Sequence, residues 1–547
     1  MSASTVESWR PVPYPRFKNC CCSCYLCLWQ ANCFAHLPLR SPNMAPPAHG
    51  SLLDSKVVDP SCSVQDIHRC QFPQHFVFGT ATSSYQVEGA VKDGGRGRSI
   101  WDTFSYTAGK ITDGSNGDIA VDQYHKYQED VNLIAGMGFD AYRFSIAWPR
   151  IFPDGSIKEA NKEGIAYYNR LINSLISQGI QPYATLYHWD LPQALQDSFG
   201  GWISGDIVKH FVAYAEVCFA AFGDRVKNWI TLNEPLQFSV NGYGTGIHAP
   251  GRCSDRSLSL AGNSSTEPYL AAHHALLAHA GAANVYRKNF QAKQCGKIGM
   301  ACDFQWVEPL TNSPEDKAAA QRCREFQLGW YLDPIFFGDY PASMRKHVGD
   351  RLPRFTAGEI KALMGSMDFV GINHYTSRFA TPAPPATGPS DYFQDQQISL
   401  TVEREGSMIG DKAASEWLFI VPWGMQKVLQ WVTERYNKLP IIVTENGMDD
   451  HNLKTASLRE SLNDTKRIHY YQAYLSSVLQ ATREGADVRG YFAWSLLDNF
   501  EWRLGYSKRF GLYYVDYSNG LKRHAKSSAL WFKNFLKPQK NDILQTN

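Results

Sequence analysis

The chain has 547 residues, is 44% hydrophobic and 13% aromatic, and carries a formal net charge of +2. That length admits one large barrel or two to three smaller domains. A charge near zero, with no long run of one sign, removes the basic patch a nucleic-acid partner needs. No apolar run reaches the roughly 18 residues of a membrane-spanning helix, so no membrane association is expected.

Residues 1–70 are rich in Pro, Ser and Cys, lack sustained periodicity and read as a disordered or processed extension. Within them the apolar segment 20–29 (CCCSCYLCLW) follows Arg10, Arg16 and Lys18, a faint targeting pattern. The preceding prolines and the missing small-x-small cleavage site argue against a signal peptide. Eight of the 13 cysteines lie in this extension. Cys24-x-x-Cys27 lacks a clean second pair, so no metal site is expected. The remaining five are too sparse for a disulfide framework, and Cys218 and Cys302 sit in apolar patterns as buried thiols.

From Gln71 onward, short apolar runs alternate with helical patterns. The runs are 76–81, 141–148, 182–189, 227–233, 297–302, 368–375, 440–445 and 488–495; helical stretches include 122–136, 161–179, 206–222, 268–290 and 422–436. Apolar strands separated by amphipathic helices are the pattern of parallel β with helices outside. Eight of them fit an α/β fold built as a single (β/α)8 TIM barrel over 71–537, with 538–547 as a C-terminal tail. A doubly wound open sheet is the runner-up, but Gly94-Gly95-Arg96-Gly97 reads as a turn and not as its phosphate loop. The connections after the first, fourth, fifth and sixth strands are long. Residues 378–416, with Pro382, Pro384 and Pro385, read as an irregular loop over the C-terminal strand ends, where a barrel builds its active site.

The strand ends are polar. The second offers Arg143, the third His188 and Trp189, the fourth Asn233 and Glu234, and the sixth Asn373 and Tyr375. The seventh offers Glu445, and the eighth Trp494, Asp498, Asn499, Glu501 and Trp502. Each alone has a plainer structural reading as an ion-pair partner, a core ring or a turn residue. Converging at one barrel mouth, they form a pocket with two carboxylates, many hydrogen-bonding groups and indole faces, suited to a neutral, hydroxyl-rich ligand. Two carboxylates across a sugar are the minimal apparatus of glycoside hydrolysis.

At these residues the chain resembles glycoside hydrolase family 1, particularly its plant β-glucosidases, over about residues 71–537. The resemblance rests on 76–89 (FVFGTATSSYQVEG), 231–235 (TLNEP), 443–447 (VTENG) and 494–502 (WSLLDNFEW). It implies a retaining β-glucosidase with Glu234 as general acid/base and Glu445 as nucleophile. It also implies that Gln86, His188, Asn233, Asn373, Trp494, Glu501 and Trp502 bind the sugar, and that Tyr375 and Arg143 orient Glu445. Trp417 would stack on the aglycone. No cofactor or metal is implied; the partner is a small β-glucoside or oligosaccharide, and no signature of oligomeric state is present. Glu rather than Gln at 234 points to O-glycosides, and Glu501-Trp502 to a non-phosphorylated sugar. Secreted plant members close the loop after the acid/base strand with a disulfide. Here Cys253 has no partner in residues 255–269, which favours a cytoplasmic protein over a plastid, secreted or vacuolar one. The alternatives are a transglucosidase using the same residues or an inactive sugar-binding protein.

Overall fold

The computed structural model describes residues 67–537 other than Ala386, Pro389 and Lys438. The N-terminal extension with its Cys24/Cys27 pair and the C-terminal tail thus fall outside the described residues, save the last few residues before Gln71. Eight parallel strands close into a barrel. They are β1 (Val77–Ala81), β2 (Ala141–Ser145), β3 (Gln181–Tyr187), β4 (Asn228–Asn233), β5 (Lys297–Asp303), β6 (Phe369–Asn373), β7 (Ile441–Asn446) and β8 (Val488–Trp494). Around them run α1 (Gln123–Met137), α2 (Lys162–Ser177), α3 (Asp206–Phe222), α4 (Glu267–Tyr286), α5 (Ala357–Leu363), α6 (Pro422–Arg435), α7 (Thr465–Arg483) and α8 (Ser527–Phe535). Helix α8 packs back on α1 and completes the ring.

The strands are near-continuous apolar runs because both of their faces are covered. The inner face is filled with side chains: Tyr183 of β3 and Phe492 of β8, three strands apart in the sheet order, meet ring to ring at 4.8 Å. The helices bury one stripe each. In α2 that stripe is Tyr167, Tyr168, Leu171, Ile172 and Leu175, at helical spacing. Asn161 caps its first turn by accepting from the Glu163 N–H. One glycine matters to the site: a Cβ on Gly371 of β6 would come within 2.8 Å of the Thr444 side chain, which needs that space to reach Asn373.

Two readings are corrected. The fifth strand extends one residue past Cys302, to Asp303. Residues 378–416 are not an irregular loop. The strand Ser377–Pro382 pairs in parallel with Trp306–Pro309 and antiparallel with Ile398–Thr401, and two short hairpins follow. These strands are two to six residues long and partly solvent-facing, so they carry neither a long apolar run nor a clean alternation.

The segment after β8 is locked by a buried charge cluster. Asp498 accepts from Arg509 Nη1 at 2.5 Å, Lys526 Nζ at 2.8 Å and the Gly511 N–H at 3.0 Å. Asp498 therefore faces inward to this cluster and away from the barrel mouth. Burial alone would push its carboxyl up; Lys526 and Arg509 outweigh that and hold it below its ordinary value. Stability from this group is present above the unfolded-state pKa and is lost as pH falls through the depressed one. Removing the carboxylate leaves two cations without their anion in the interior. Asp498→Ala is expected to cost about 3–5 kcal/mol, read as a lowered urea midpoint and faster thermal inactivation. A loss under about 1 kcal/mol would mean the cluster does not lock this segment.

Candidate active site

Glu234 owes its position to the way β4 ends. The β4–β5 register breaks between Ile230 and Asn233, and the Glu234 N–H donates to Ala301 O at 2.8 Å. Pro235 then opens the helix Pro235–Tyr243 with Glu234 as its N-cap in the left-handed region, at φ 46°. A register break re-aims the following side chains, and this one turns Glu234 into the barrel mouth. Trp189 (φ 75°) and Trp502 (φ 49°) share the left-handed conformation. Such residues cost on the order of 1–3 kcal/mol each and persist where their surroundings fix them. The β6–β7 register also breaks, between Val443 and Glu445, so both glutamates lie at an irregularity of the sheet.

The two carboxyls have different partners. Glu445 Oε1 pairs with Arg143 Nη1, and Oε2 accepts from the Tyr375 hydroxyl at 2.7 Å. Glu234 Oε1 accepts from the Asn373 amide at 2.9 Å, which leaves Oε2 free. Asn373 is itself fixed, since Thr444 Oγ1 donates to its Oδ1 at 2.6 Å. The Asn233 Oδ1 accepts from Arg143 Nη2 at 2.5 Å and from Asn373 Nδ2 at 3.1 Å, so its Nδ2 must be the donor to His188 Nε2 at 2.9 Å. That assignment makes Nε2 the acceptor and places the imidazole proton on Nδ1. Trp189 Nε1 donates to Asn233 O at 3.0 Å and closes the network.

These groups surround a cavity of about 510 Å³. Its wall includes nine of the expected site residues: His188, Glu234, Asn373, Tyr375, Trp417, Glu445, Trp494, Glu501 and Trp502. Gln86, Arg143 and Asn233 are fully buried, each bonded to a wall residue. Gln86 Nε2 lies 3.3 Å from Glu501 Oε2 and also donates to Asn499 Oδ1 and Phe500 O, both at 3.0 Å. Rings pave one side: His188 stacks on Trp494 at 6.0 Å and on Trp502 at 5.8 Å. Trp417, 42% exposed, meets the Tyr375 ring edge-on at 5.8 Å at the outer rim. It is set there by Ser415, whose N–H and hydroxyl donate to Asp449 just beyond β7.

The wall also holds Gln237, His248, Asp303, Arg378 and Arg503, which reading the strand ends did not single out. Asp303 was within reach of that reading, because it ends β5 as Glu234 follows β4. One of its oxygens accepts from Gln237 Nε2 at 2.7 Å and the other is buried without a partner among the described residues. The other four lie on connections, where no periodicity points to the mouth.

Burial dominates the electrostatics. It pushes the Glu234 carboxyl well above its ordinary value, and the charges of Glu445 and Asp303 add to the rise. Burial raises Asp303 to about 6 and, with Asp449 and Glu445 nearby, Glu501 to about 8. Burial, reinforced by Arg143, holds the His188 imidazole well below its usual value and keeps it neutral. The mouth thus presents one carboxyl that keeps its proton, one carboxylate clamped by a guanidinium and a phenol, and a floor of hydrogen-bonding groups.

Known proteins with this sequence and architecture are numerous. The model of "Glycosyl hydrolase family 1" matches residues 68–541. Beta-glucosidase 42 of Arabidopsis thaliana is 57% identical over 472 residues, 86% of this chain and 95% of its own length. Beta-glucosidase 4 of rice (Oryza sativa subsp. japonica) is 56% identical over 475 residues, 86% and 96% of the two chains. A solved rice β-glucosidase mutant, in a covalent complex with Glc from GA4GE, is 55% identical with a TM-score of 0.85, covering 86% of this chain and all (100%) of that one. The family 1 β-glucosidase of Thermotoga maritima is 39% identical with a TM-score of 0.76, covering 85% and 97%. The chain belongs to glycosyl hydrolase family 1.

Proposed function

We propose that the catalytic unit, residues 71–537, is a retaining β-glucosidase that removes terminal β-D-glucosyl groups from O-glucosides, with Glu234 and Glu445 as its reacting carboxyls. One observation carries the reading: two buried glutamates face one cavity, one bonded to Arg143 and Tyr375, the other favoured in its acid form. The rice relative's covalent complex with Glc supports a route through a glucosyl-enzyme. In the first step Glu445 Oε attacks the anomeric carbon while the Glu234 proton passes to the glycosidic oxygen and the aglycone leaves as an alcohol. Glu234, now a carboxylate, takes a proton from water; the water oxygen attacks the anomeric carbon and Glu445 departs as carboxylate. Two inversions retain the β configuration.

The surrounding groups act by position. Arg143 spreads the Glu445 charge and, through Asn233, fixes the neutral His188 tautomer. Trp494 and Trp502 offer faces to the sugar, and Glu501 and Gln86 offer hydrogen-bonding groups. Asn233 and Asn373 lie nearest the reacting end, where contacts to the sugar hydroxyls strengthen in the transition state. Trp417 is placed to stack on the aglycone. Among the described residues no helix is long and apolar enough to cross a membrane. Cys218, Cys253, Cys302 and Cys323 are buried free thiols. The loop that begins at Cys253 is closed by reciprocal hydrogen bonds between Ser254 and Ser264, both 2.8 Å. The cytoplasmic location favoured by the lone Cys253 of this loop in the sequence is tested by microscopy of a tagged full chain.

Glu445→Gln is expected to lower kcat/KM on an aryl β-glucoside by more than about 10⁴-fold while the fold is retained; near-normal turnover by a folded variant would sink the assignment. Glu234→Gln is expected to lose about 10²–10⁴-fold on glucosides with poor leaving groups and far less with an acidic phenol, which departs unprotonated. General-acid activity requires the protonated form, so wild-type activity falls as pH rises through the elevated Glu234 pKa. With the acidic phenol substrate, that alkaline limb should be missing from Glu234→Gln; a limb that persists unchanged assigns it elsewhere.

Glu234 also couples pH to stability. Its folded pKa lies above its unfolded one, so the folded state holds the proton more tightly and stability declines as pH rises between the two. Glu234→Gln removes that penalty. Its melting temperature should exceed the wild type's at pH 8 and approach it toward pH 5; a constant gap would show that Glu234 is not the titrating group.

A further inference from the structure

On the cavity wall, Arg378 differs from the most deeply buried arginines of the chain. Arg143, Arg150, Arg467, Arg509 and Arg523 each pair with a carboxylate. Arg378, half-buried on the cavity wall, has no carboxylate within 4.0 Å among the described residues. Its Nη1 donates to Ser377 O at 2.7 Å and Thr376 Oγ1 at 3.1 Å, its Nη2 donates to Trp417 O, and its guanidinium lies 5.2 Å from the centre of the Phe419 ring. Neutral acceptors therefore hold the group in place without cancelling its charge. Burial pushes it down to about 10, still a full cation at neutral pH. Partial desolvation of an unpaired cation costs free energy, and a group held that way on a cavity wall is a candidate for a ligand charge. Among the described residues Nε–H and the second Nη2–H have no acceptor, and a guanidinium edge of that kind matches a carboxylate.

The rest of the cavity has a polarity. Glu234, Asp303, Glu445 and Glu501 supply its carboxyls, whereas Arg378 and the exposed Arg503 supply its cations, with Arg378 bonded to the rim residue Trp417. A bound anion meets no uncommitted cation near the scissile bond, where Arg143 is already paired with Glu445, but meets Arg378 next to Trp417. Resting on the β-glucosidase reading, we propose that this chain prefers β-glucosides whose aromatic aglycone carries a carboxylate on the side of the ring away from the glycosidic oxygen. Trp417 stacks on the ring and Arg378 pairs with the carboxylate.

The test compares kcat/KM for para-carboxyphenyl and para-carbamoylphenyl β-D-glucoside, near-isosteres that differ in charge. Their ratio in the wild type should fall roughly tenfold in Arg378→Gln and be largely retained in Arg378→Lys, which keeps the charge. A shift of Trp417 caused by the lost carbonyl contact would lower both substrates together and leave the ratio unmoved. An unchanged ratio in Arg378→Gln overturns the assignment. A second measurement needs no variant: the wild-type ratio should decline between about 0.05 and about 0.5 M salt, as an exposed ion pair is screened, and a ratio indifferent to salt also counts against it. para-Nitrophenyl β-D-glucoside separates the two failures. If the wild type does not turn it over, the β-glucosidase reading fails; if it does while the charged-to-neutral ratio stays flat, only the Arg378 assignment falls.

Discussion

The barrel mouth depends on one buried guanidinium. Arg143 projects from β2, reaches Glu445 on β7 with one Nη and Asn233 on β4 with the other, and is fully buried. Those strands are not neighbours, so the contact spans the barrel instead of running along it. Removing one partner of such a pair leaves a charge in a poorly solvated site, which typically costs several kcal/mol. The pair thereby selects one arrangement of three strand ends. Everything further out is referred to it: Asn233 is oriented by Arg143, His188 by Asn233, and Asn373 shares the same amide oxygen while holding Glu234.

That arrangement explains how one residue type supplies two chemistries. Glu445 receives a guanidinium and a phenolic hydroxyl, both of which stabilise its anion. Glu234 receives a single neutral amide and looks toward two other carboxyls, Glu445 and Asp303. Both are buried, and their partners differ. The division rests on register breaks in β4 and β7. The register break in β4 and the left-handed φ of Glu234 turn its side chain to Asn373 and not along the strand. Trp189 and Trp502 take the same unfavourable φ, so strain gathers where side-chain direction matters most.

Much of this was legible in the sequence because barrels impose period and order. The eight strands announced themselves as apolar runs, and their polar ends named both glutamates and nine of the 22 residues of the cavity wall. What was not legible has physical causes. Asp303 was missed because the apolar run of β5 stops at Cys302 while the backbone pairing continues one residue further. Asp498 looked like a mouth residue by its place after β8, but its partners Arg509 and Lys526 come 11 and 28 residues later, and nothing local announces them. The small sheet within 377–401 escaped because its pairing partner, Trp306–Pro309, lies some seventy residues upstream. Gln86, Arg143 and Asn233 were readable as site residues, but not as residues bonded behind the wall; that depends on depth, which sequence position does not encode.

The two ends of the cavity are built by different means, and this bears on what can vary. The deep end is made of strand termini whose side chains are cross-linked to one another, so a change at Asn373 would disturb Glu234, Asn233 and Thr444 together. The outer end is made from the connections after β6 and β8, whose side chains are held largely by backbone carbonyls or single contacts. Arg378 is tied to Ser377 O and Trp417 O, and Trp417 is held by an edge contact with Tyr375 and by Ser415, which bonds to Asp449 just beyond β7. A carbonyl accepts from Arg, Lys or Gln alike, so the charge at the rim can change without dismantling the pair of glutamates. Distant sites with no shared partners add nearly independently, whereas members of one network do not. The deep end is therefore constrained as a unit, while the outer end is set residue by residue.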